Sequence, residues 1–307
     1  MSVDQRKQVR TALVTGATGF VGSRLACRLV HDQWNVHIVT RAASTLPPDP
    51  EFKQVTRHFY DGSLASLSRA MREARPNVVF HLAALFLSDH KAGDVEALIS
   101  SNVLFGTQLL ESMVECGVTS LVNTGTSWQH YRDDSNNSVN LYAATKQAYE
   151  DILRFYVDAK GMRAVTLKLF DTYGPRDPRL KLVNQLLKAG LSGKPIPMSP
   201  GEQRIHLVHV DDVIEAFILS AALIEQPTAN GYASYRVDSG AAITLRELVL
   251  CIEEVWGRKV PVVWGGRAYR SREVMVPWPG GERLPSWRNR VPLQEGLKQI
   301  IDAMSGS

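Results

Sequence analysis

Cysteine is scarce in this chain: three in 307 residues, at positions 27, 116 and 251. So few, so far apart, cannot build a disulfide framework or a cysteine-based metal cluster, and they fit a reducing compartment. No apolar run reaches the ~20 residues that a membrane span requires. The first ten residues are polar and carry no apolar signal core. The expectation is a cytoplasmic protein with no membrane partner and no metal. One-sided charge is also missing. Thirty-five Lys and Arg face 31 Asp and Glu, a net +4, and the cations are dispersed. Without a basic tract, nucleic acid is not an expected partner, while the mild positive balance suits a small anionic substrate. Neither an internal repeat nor a low-complexity stretch is present, which excludes solenoid and linker architectures.

What the chain does have is apolar content, 44% of residues, enough for a large core. In the first half, short β-branched runs at 11–15, 36–40, 54–59, 78–82, 121–124 and 164–169 alternate with helical patterns at 23–32, 63–74, 95–116 and 143–159. Alternation of this kind predicts an α/β fold with a doubly wound parallel sheet. Beyond Asp171 the pattern loosens, and Pro175, Pro178, Pro195, Pro197 and Pro200 punctuate loops between further helices at 181–190, 211–223, 245–256 and 293–304. We expect a dinucleotide-binding domain over 1–170 and, over 171–307, a smaller interleaved lobe for substrate, with segments that return to the sheet.

The first motif is Thr15-Gly16-Ala17-Thr18-Gly19-Phe20-Val21-Gly22, at the end of an apolar strand and the start of a helix. Three glycines so spaced serve a tight turn, a close backbone approach to a pyrophosphate and helix–strand packing. The helix N-terminus offers free N–H groups to that pyrophosphate. Gly16, Thr18, Gly19, Phe20, Val21 and Gly22 are therefore candidate cofactor contacts. Some 20 residues on, where an acid would accept from a ribose 2′-hydroxyl, the chain reads Val39-Thr40-Arg41. An arginine suits a 2′-phosphate, so the expected cofactor is NADP(H), read by Arg41. Asp61, with Gly62 beside it, either accepts from the adenine amino group or serves as a turn residue.

The second motif is Tyr142-Ala143-Ala144-Thr145-Lys146. Tyr and Lys at i, i+4 share a helix face, and an ammonium beside a phenol lowers its pKa, which would let Tyr142 move a proton to or from an alcohol oxygen.

The glycine run and the Tyr-Lys pair, some 120 residues apart, together resemble the extended short-chain dehydrogenase/reductase family. So do Phe80-His81-Leu82-Ala83-Ala84, Asn102-Val103-Leu104-Phe105-Gly106-Thr107, Leu169-Phe170-Asp171-Thr172-Tyr173-Gly174-Pro175 and Val208-His209-Val210-Asp211-Asp212-Val213. The resemblance spans nearly the whole chain. It implies that Leu82, Ala83, Ala84, Asn102, Thr124 and Phe170 join Tyr142 and Lys146 at the cofactor. It also implies that Thr126, with Ser127 as the alternative, steadies the reacting oxygen. His81 is expected to be a core or cofactor-side residue rather than a base. The two long helices after strands four and five resemble the family's dimer bundle, so a homodimer is expected.

Narrower stretches resemble the nucleotide-sugar 4-ketoreductases that make dideoxyhexoses, the CDP-abequose and CDP-paratose synthases. These are Gly125-Thr126-Ser127-Trp128-Gln129-His130 and Phe170-Asp171-Thr172-Tyr173-Gly174-Pro175. This implies a nucleotide-sugar partner, with Ser127, Trp128, Gln129, His130 and Asp171 at the sugar and Arg179 and Arg204 at the pyrophosphate. The family's 4,6-dehydratases carry an Asp-Glu pair after the catalytic Thr; here Ser127-Trp128 stands there, so dehydration lacks its acid and base. The expected reaction is NADPH-dependent reduction of a 4-keto group. The alternatives are a nucleotide-sugar 4-epimerase using the same residues and a reductase of a non-nucleotide ketone.

Overall fold

The apolar runs of the first half form strands buried on both faces, as expected when helices cover a parallel sheet on each side. The computed structural model describes residues 9–134, 137–226 and 231–305, so residues 1–8 of the polar start lie outside the described residues. In chain order the sheet takes β1 (Thr11–Thr15), β2 (Asn35–Arg41), β3 (Thr56–Tyr60), β4 (Val78–His81), β5 (Ser120–Thr126) and β6 (Arg163–Leu169). Two later segments, β7 (Tyr232–Val237) and β8 (Glu282–Arg283), return to its edge. The order is β8-β7-β6-β5-β4-β1-β2-β3, and every pairing is parallel. The chain reverses direction across the sheet between β1 and β4. In an open α/β sheet such a switch opens a crevice at the carboxyl ends of the strands.

Helices α1 (Phe20–His31), α2 (Leu64–Ala74), α3 (Phe105–Glu115) and α4 (Leu141–Lys160) fill the crossovers. The second half supplies α5 (Leu182–Ser192), α6 (Val210–Ile224), α7 (Leu245–Trp256) and α8 (Leu293–Ser305). One face of the sheet packs Val14, Ile38, Phe80 and Val122 against α1 and α6. The other packs Leu13, Val39, Val79 and Leu121 against α2, α3 and α4. A third cluster joins α5, α7 and α8 through Leu186, Leu187, Leu248, Ile252, Leu297 and Ile300. The fold is thus a Rossmann-type α/β sandwich with a smaller C-terminal cluster at its side. Among the described residues no helix is long and apolar enough to cross a membrane.

One expected element differs. The single helix read over 95–116 is interrupted: Val95–Ile99 is α-helical, Ser100–Leu104 forms a π-turn, and α3 begins only at Phe105. Apolar spacing reports which face is buried but not the insertion of one residue into a turn.

Candidate active site

The glycine turn closes the carboxyl end of β1. Gly16 has φ +74, and a Cβ there would lie 2.6 Å from the backbone nitrogen of Ala83. Only glycine can make the turn and let the loop after β4 come so close. Gly19 caps α1 with no side-chain hydrogen bond, there is no acid in the helix's first turn, and Thr18 and Gly19 are exposed. A bare, uncapped helix start is a ready anion site. Along the adjoining crevice, Ala83 donates its N–H to the Thr15 hydroxyl (3.3 Å), and the buried Thr124 hydroxyl has no partner. An uncapped helix end, a turn with no room for a Cβ and an orphaned hydroxyl fit a bound dinucleotide.

At the far end of β2, Arg41 is exposed. Its loop is braced by Arg57 from β3, whose guanidinium donates to the Thr40 hydroxyl (2.7 Å) and to the carbonyls of Arg41 (3.2 Å) and Ser44 (2.7 Å). Strand pairing brings the second arginine here, so sequence distance hid it. Asp61 forms a turn: its carboxylate accepts from the Ser63 N–H (2.9 Å) and hydroxyl (2.6 Å) at the head of α2, and these bonds hold its pKa below the usual value. Gly62, at φ +99, completes that turn.

Asn102 is a clamp between two elements. It is 1% exposed. Its amide donates to the Leu85 carbonyl (3.0 Å) and the Thr145 hydroxyl (2.9 Å), and it accepts from the Leu85 N–H (2.7 Å). Those bonds tie the loop after β4 to α4. His81 is fully buried, 2.8 Å from the Thr15 hydroxyl, and burial with Lys146 nearby keeps it neutral.

Asn140 caps α4 by accepting from the Ala143 N–H (2.9 Å), which starts the helix one residue before Tyr142. Phe86 meets the Tyr142 ring edge-on at 4.9 Å and lies 5.9 Å from Trp128. The expectation of a lowered Tyr142 pKa does not hold for the protein alone. Loss of water pushes the phenol up to about 12, and only Arg179 pulls it down. Burial instead depresses Lys146 to about 8, with Glu150 opposing and Lys168 reinforcing the fall. A buried ammonium is itself the disfavoured charge here.

Next to Phe86, whose ring meets Tyr142, lies a cavity of about 340 Å³; Tyr142, Lys146 and Thr126 are not among the residues that line it. Ser127, Trp128, Phe170, Asp171 and Arg204 line it, as does Phe86. Lys181 also lines it, 4.0 Å from Asp171 and with its ammonium 3.9 Å from the Phe86 ring centre. Two of the expected substrate contacts do not line the cavity. Gln129 is fully buried and faces away from the cavity: its carbonyl accepts from the Thr126 N–H (2.9 Å) and its amide donates to Gln147 and Glu150. Thr126 in turn accepts from the Trp128 N–H, so Thr-x-x-Gln forms a capping box at the end of β5. Arg179 does not line the cavity. Asp177 holds it at 2.8 Å, it donates to the Thr172 carbonyl, and it lies over Phe20 at 4.8 Å, on the glycine-turn side.

The sequence reading also missed part of the cavity wall. Arg267 and Arg270 face it from an irregular segment, beside His130, which is stacked on Trp278 at 4.0 Å. The spacing of Arg267, Arg270 and Arg272 was a visible signal, but no periodic element there announced an inward face. Among the described residues no cluster of His, Cys, Asp and Glu could hold a metal.

The NAD dependent epimerase/dehydratase family matches residues 12–232. A CDP-abequose synthase of Yersinia pseudotuberculosis is 27% identical over 290 residues, covering 94% of this chain and 97% of its own length. A UDP-glucose 4-epimerase of Mycolicibacterium smegmatis is 26% identical, with 94% and 97% covered. Among solved structures, MoeE5 in complex with UDP-glucose and NAD superposes with TM-score 0.82 at 26% identity, over 96% of this chain and 99% of that one.

Proposed function

The chain belongs to the NAD dependent epimerase/dehydratase family, and within it we propose an NADPH-dependent reductase of the 4-keto group of a 4-keto-6-deoxy or dideoxy nucleotide-sugar. The observation that carries the choice of reductase is the end of β2. Arg41 is exposed there on a loop braced by Arg57, and the strand end Val39-Thr40-Arg41 holds no acid. Two guanidinium groups and no carboxylate at that strand end favour a 2′-phosphate over a bare ribose. NADP(H) is typically a co-substrate that exchanges each turnover, which suits net reduction. The likeness to a CDP-abequose synthase along 94% of the chain supports the substrate class.

A bound nicotinamide dinucleotide would supply the hydride. Gly16, Gly19, Gly22 and the start of α1 would hold its pyrophosphate, and Lys146 its nicotinamide-side ribose. Tyr142, a neutral phenol across the neutral range, donates a proton to the carbonyl oxygen as that oxygen gains charge. Ser127, on the cavity wall, and the neighbouring Thr126 hydroxyl would steady that oxygen. Phe86 and Trp128 offer apolar faces to the deoxygenated edge of the sugar. Arg204, Arg267 and Arg270, on the cavity wall, would meet the substrate pyrophosphate. Ile99, Leu104 and Phe155, exposed at 43%, 49% and 58% on and beside the helices that flank the sheet, support a homodimer as part of the same reading.

The test is consumption of NADPH by the purified protein with CDP- and dTDP-4-keto-6-deoxyhexoses. Interconversion of UDP-hexoses without net NADPH use, with NAD retained through purification, would establish the 4-epimerase reading instead. Two further outcomes follow. Arg41→Ala should weaken NADPH binding by about 10–100-fold, the loss of one or two charge-assisted hydrogen bonds, and leave NADH binding unchanged; calorimetry with both cofactors measures it. Lys146 is charged below about 8 and neutral above. Reduction should therefore lose rate as pH rises through about 8, with no limb from Tyr142 until far higher pH; a kcat/KM profile between pH 6 and 10 checks it.

A further inference from the structure

Behind the active-site face lies a buried ionic group that the reaction as proposed does not use. Glu150 follows Lys146 by one helical turn on α4, and the two side chains are 3% and 2% exposed. One Glu150 carboxylate oxygen is paired with Lys168 of β6 and accepts from the Gln129 amide at 2.7 Å; the other accepts from the Tyr232 hydroxyl at 2.6 Å, with Arg154 at 3.8 Å. Gln129 passes this on to the Thr126 N–H at 2.9 Å. One carboxylate thus touches the helix that carries Tyr142 and Lys146, the strand end that carries Thr126, and β6.

We propose that Glu150 is a positioning residue which keeps the Lys146 ammonium charged inside the protein and, through Gln129, fixes the backbone of Thr126, with Lys168 set to hold Glu150 ionised. This rests on the reading of Lys146 as part of the reducing site. The groups around Lys146 make the electrostatics explicit. Among the described residues, Glu150 is the carboxylate that favours its charged form. Lys168 from β6 repels it, neutral His81 lies toward β4, and Tyr149 stands beneath it at 5.9 Å. Without Glu150, burial and Lys168 both favour the neutral amine. Burying an ion pair is a costly way to gain stability, since an apolar replacement often serves as well or better. A pair retained beside a catalytic lysine has a second use available.

The test reads Lys146 directly, with neither cofactor nor substrate. Protein labelled with 13C-lysine is titrated by NMR, and the Lys146 signal is assigned by its loss in Lys146→Arg. The midpoint should lie near 8 in the wild type. Glu150→Gln should lower it by on the order of 1 pH unit. The double variant Glu150→Gln/Lys168→Gln, which removes both charges and leaves no unpaired ion if the single variant fails to fold, should fall between Glu150→Gln and the wild type. A purely structural role predicts lost thermal stability with no such order. An unshifted or raised midpoint in Glu150→Gln, or a double-variant midpoint at or above the wild type, overturns the proposal. Should the reductase reading fail in the NADPH assay, this titration still returns its own answer.

Discussion

Tyr142→Phe is expected to lower turnover by about 10²–10⁴-fold, the usual worth of a positioned general acid, while NADPH binding and thermal stability stay as they are. The phenylalanine keeps the ring, and with it the 4.9 Å edge contact to Phe86 and the place behind the Asn140 cap. Only the hydroxyl is lost, and no buried group depends on it for a hydrogen bond. A tyrosine held near 12 stays protonated, and so available as a donor, across the neutral range, although as a weaker acid than a free phenol. Loss of the hydroxyl should lower kcat/KM for the reduction and for its reverse by the same factor. Steady-state NADPH oxidation, paired with calorimetric NADPH binding, measures both halves. Turnover within tenfold of the wild type would remove Tyr142 from the acid's role.

Gly22→Ala should produce the largest effect on the cofactor, through the backbone of the glycine turn rather than through any lost side chain. A Cβ at this position would lie 2.1 Å from the Gly16 carbonyl oxygen, 2.7 Å from its carbon and 3.1 Å from the Ala17 Cα. All three are backbone atoms, so no side chain can swing aside, and α1 must back away from the turn. Overpacking of this kind costs about 1–3 kcal/mol, and the displaced helix start no longer meets a pyrophosphate. Dinucleotide affinity should fall at least about tenfold, with a melting temperature several degrees lower. Gly19→Ala is the control for the fold, because a Cβ there meets nothing nearer than 3.4 Å. If Gly22→Ala binds NADPH as the wild type does, the turn is not the pyrophosphate site.

The sheet was legible from sequence because parallel strands are buried on both faces and so read as unbroken apolar runs: 11–15 and 78–82 stand out with no other information. The turn at Gly16 was legible for the same kind of reason, since one residue type alone tolerates its φ and its neighbours. The site's polar side chains were harder. Gln129 follows the catalytic strand end like any pocket residue, and nothing local says that it turns inward to Glu150, twenty-one positions away. Arg57 entered through β2–β3 pairing, a register that no single strand records. Arg179 was read as a substrate cation because it sits among other cations, yet Asp177, two residues earlier, already holds it. Position along the chain shows which residues are available, whereas direction depends on partners that are distant in sequence.

The π-turn at Ser100–Leu104 has a consequence for how this pocket tolerates change. A helix turns by about 100° per residue, and a π-turn is one residue longer than the turn it replaces. Deleting a single residue there would restore ordinary winding and swing Asn102 roughly a quarter-turn or more away from Leu85 and Thr145. The loop that carries Phe86 would then be unhooked from the helix that carries Tyr142, although no residue at the cavity had been altered. The shape of the cavity is thus recorded partly as a length, in a segment that does not line it. Lineages that gain or lose that one residue should differ in substrate even where their cavity walls are spelled alike.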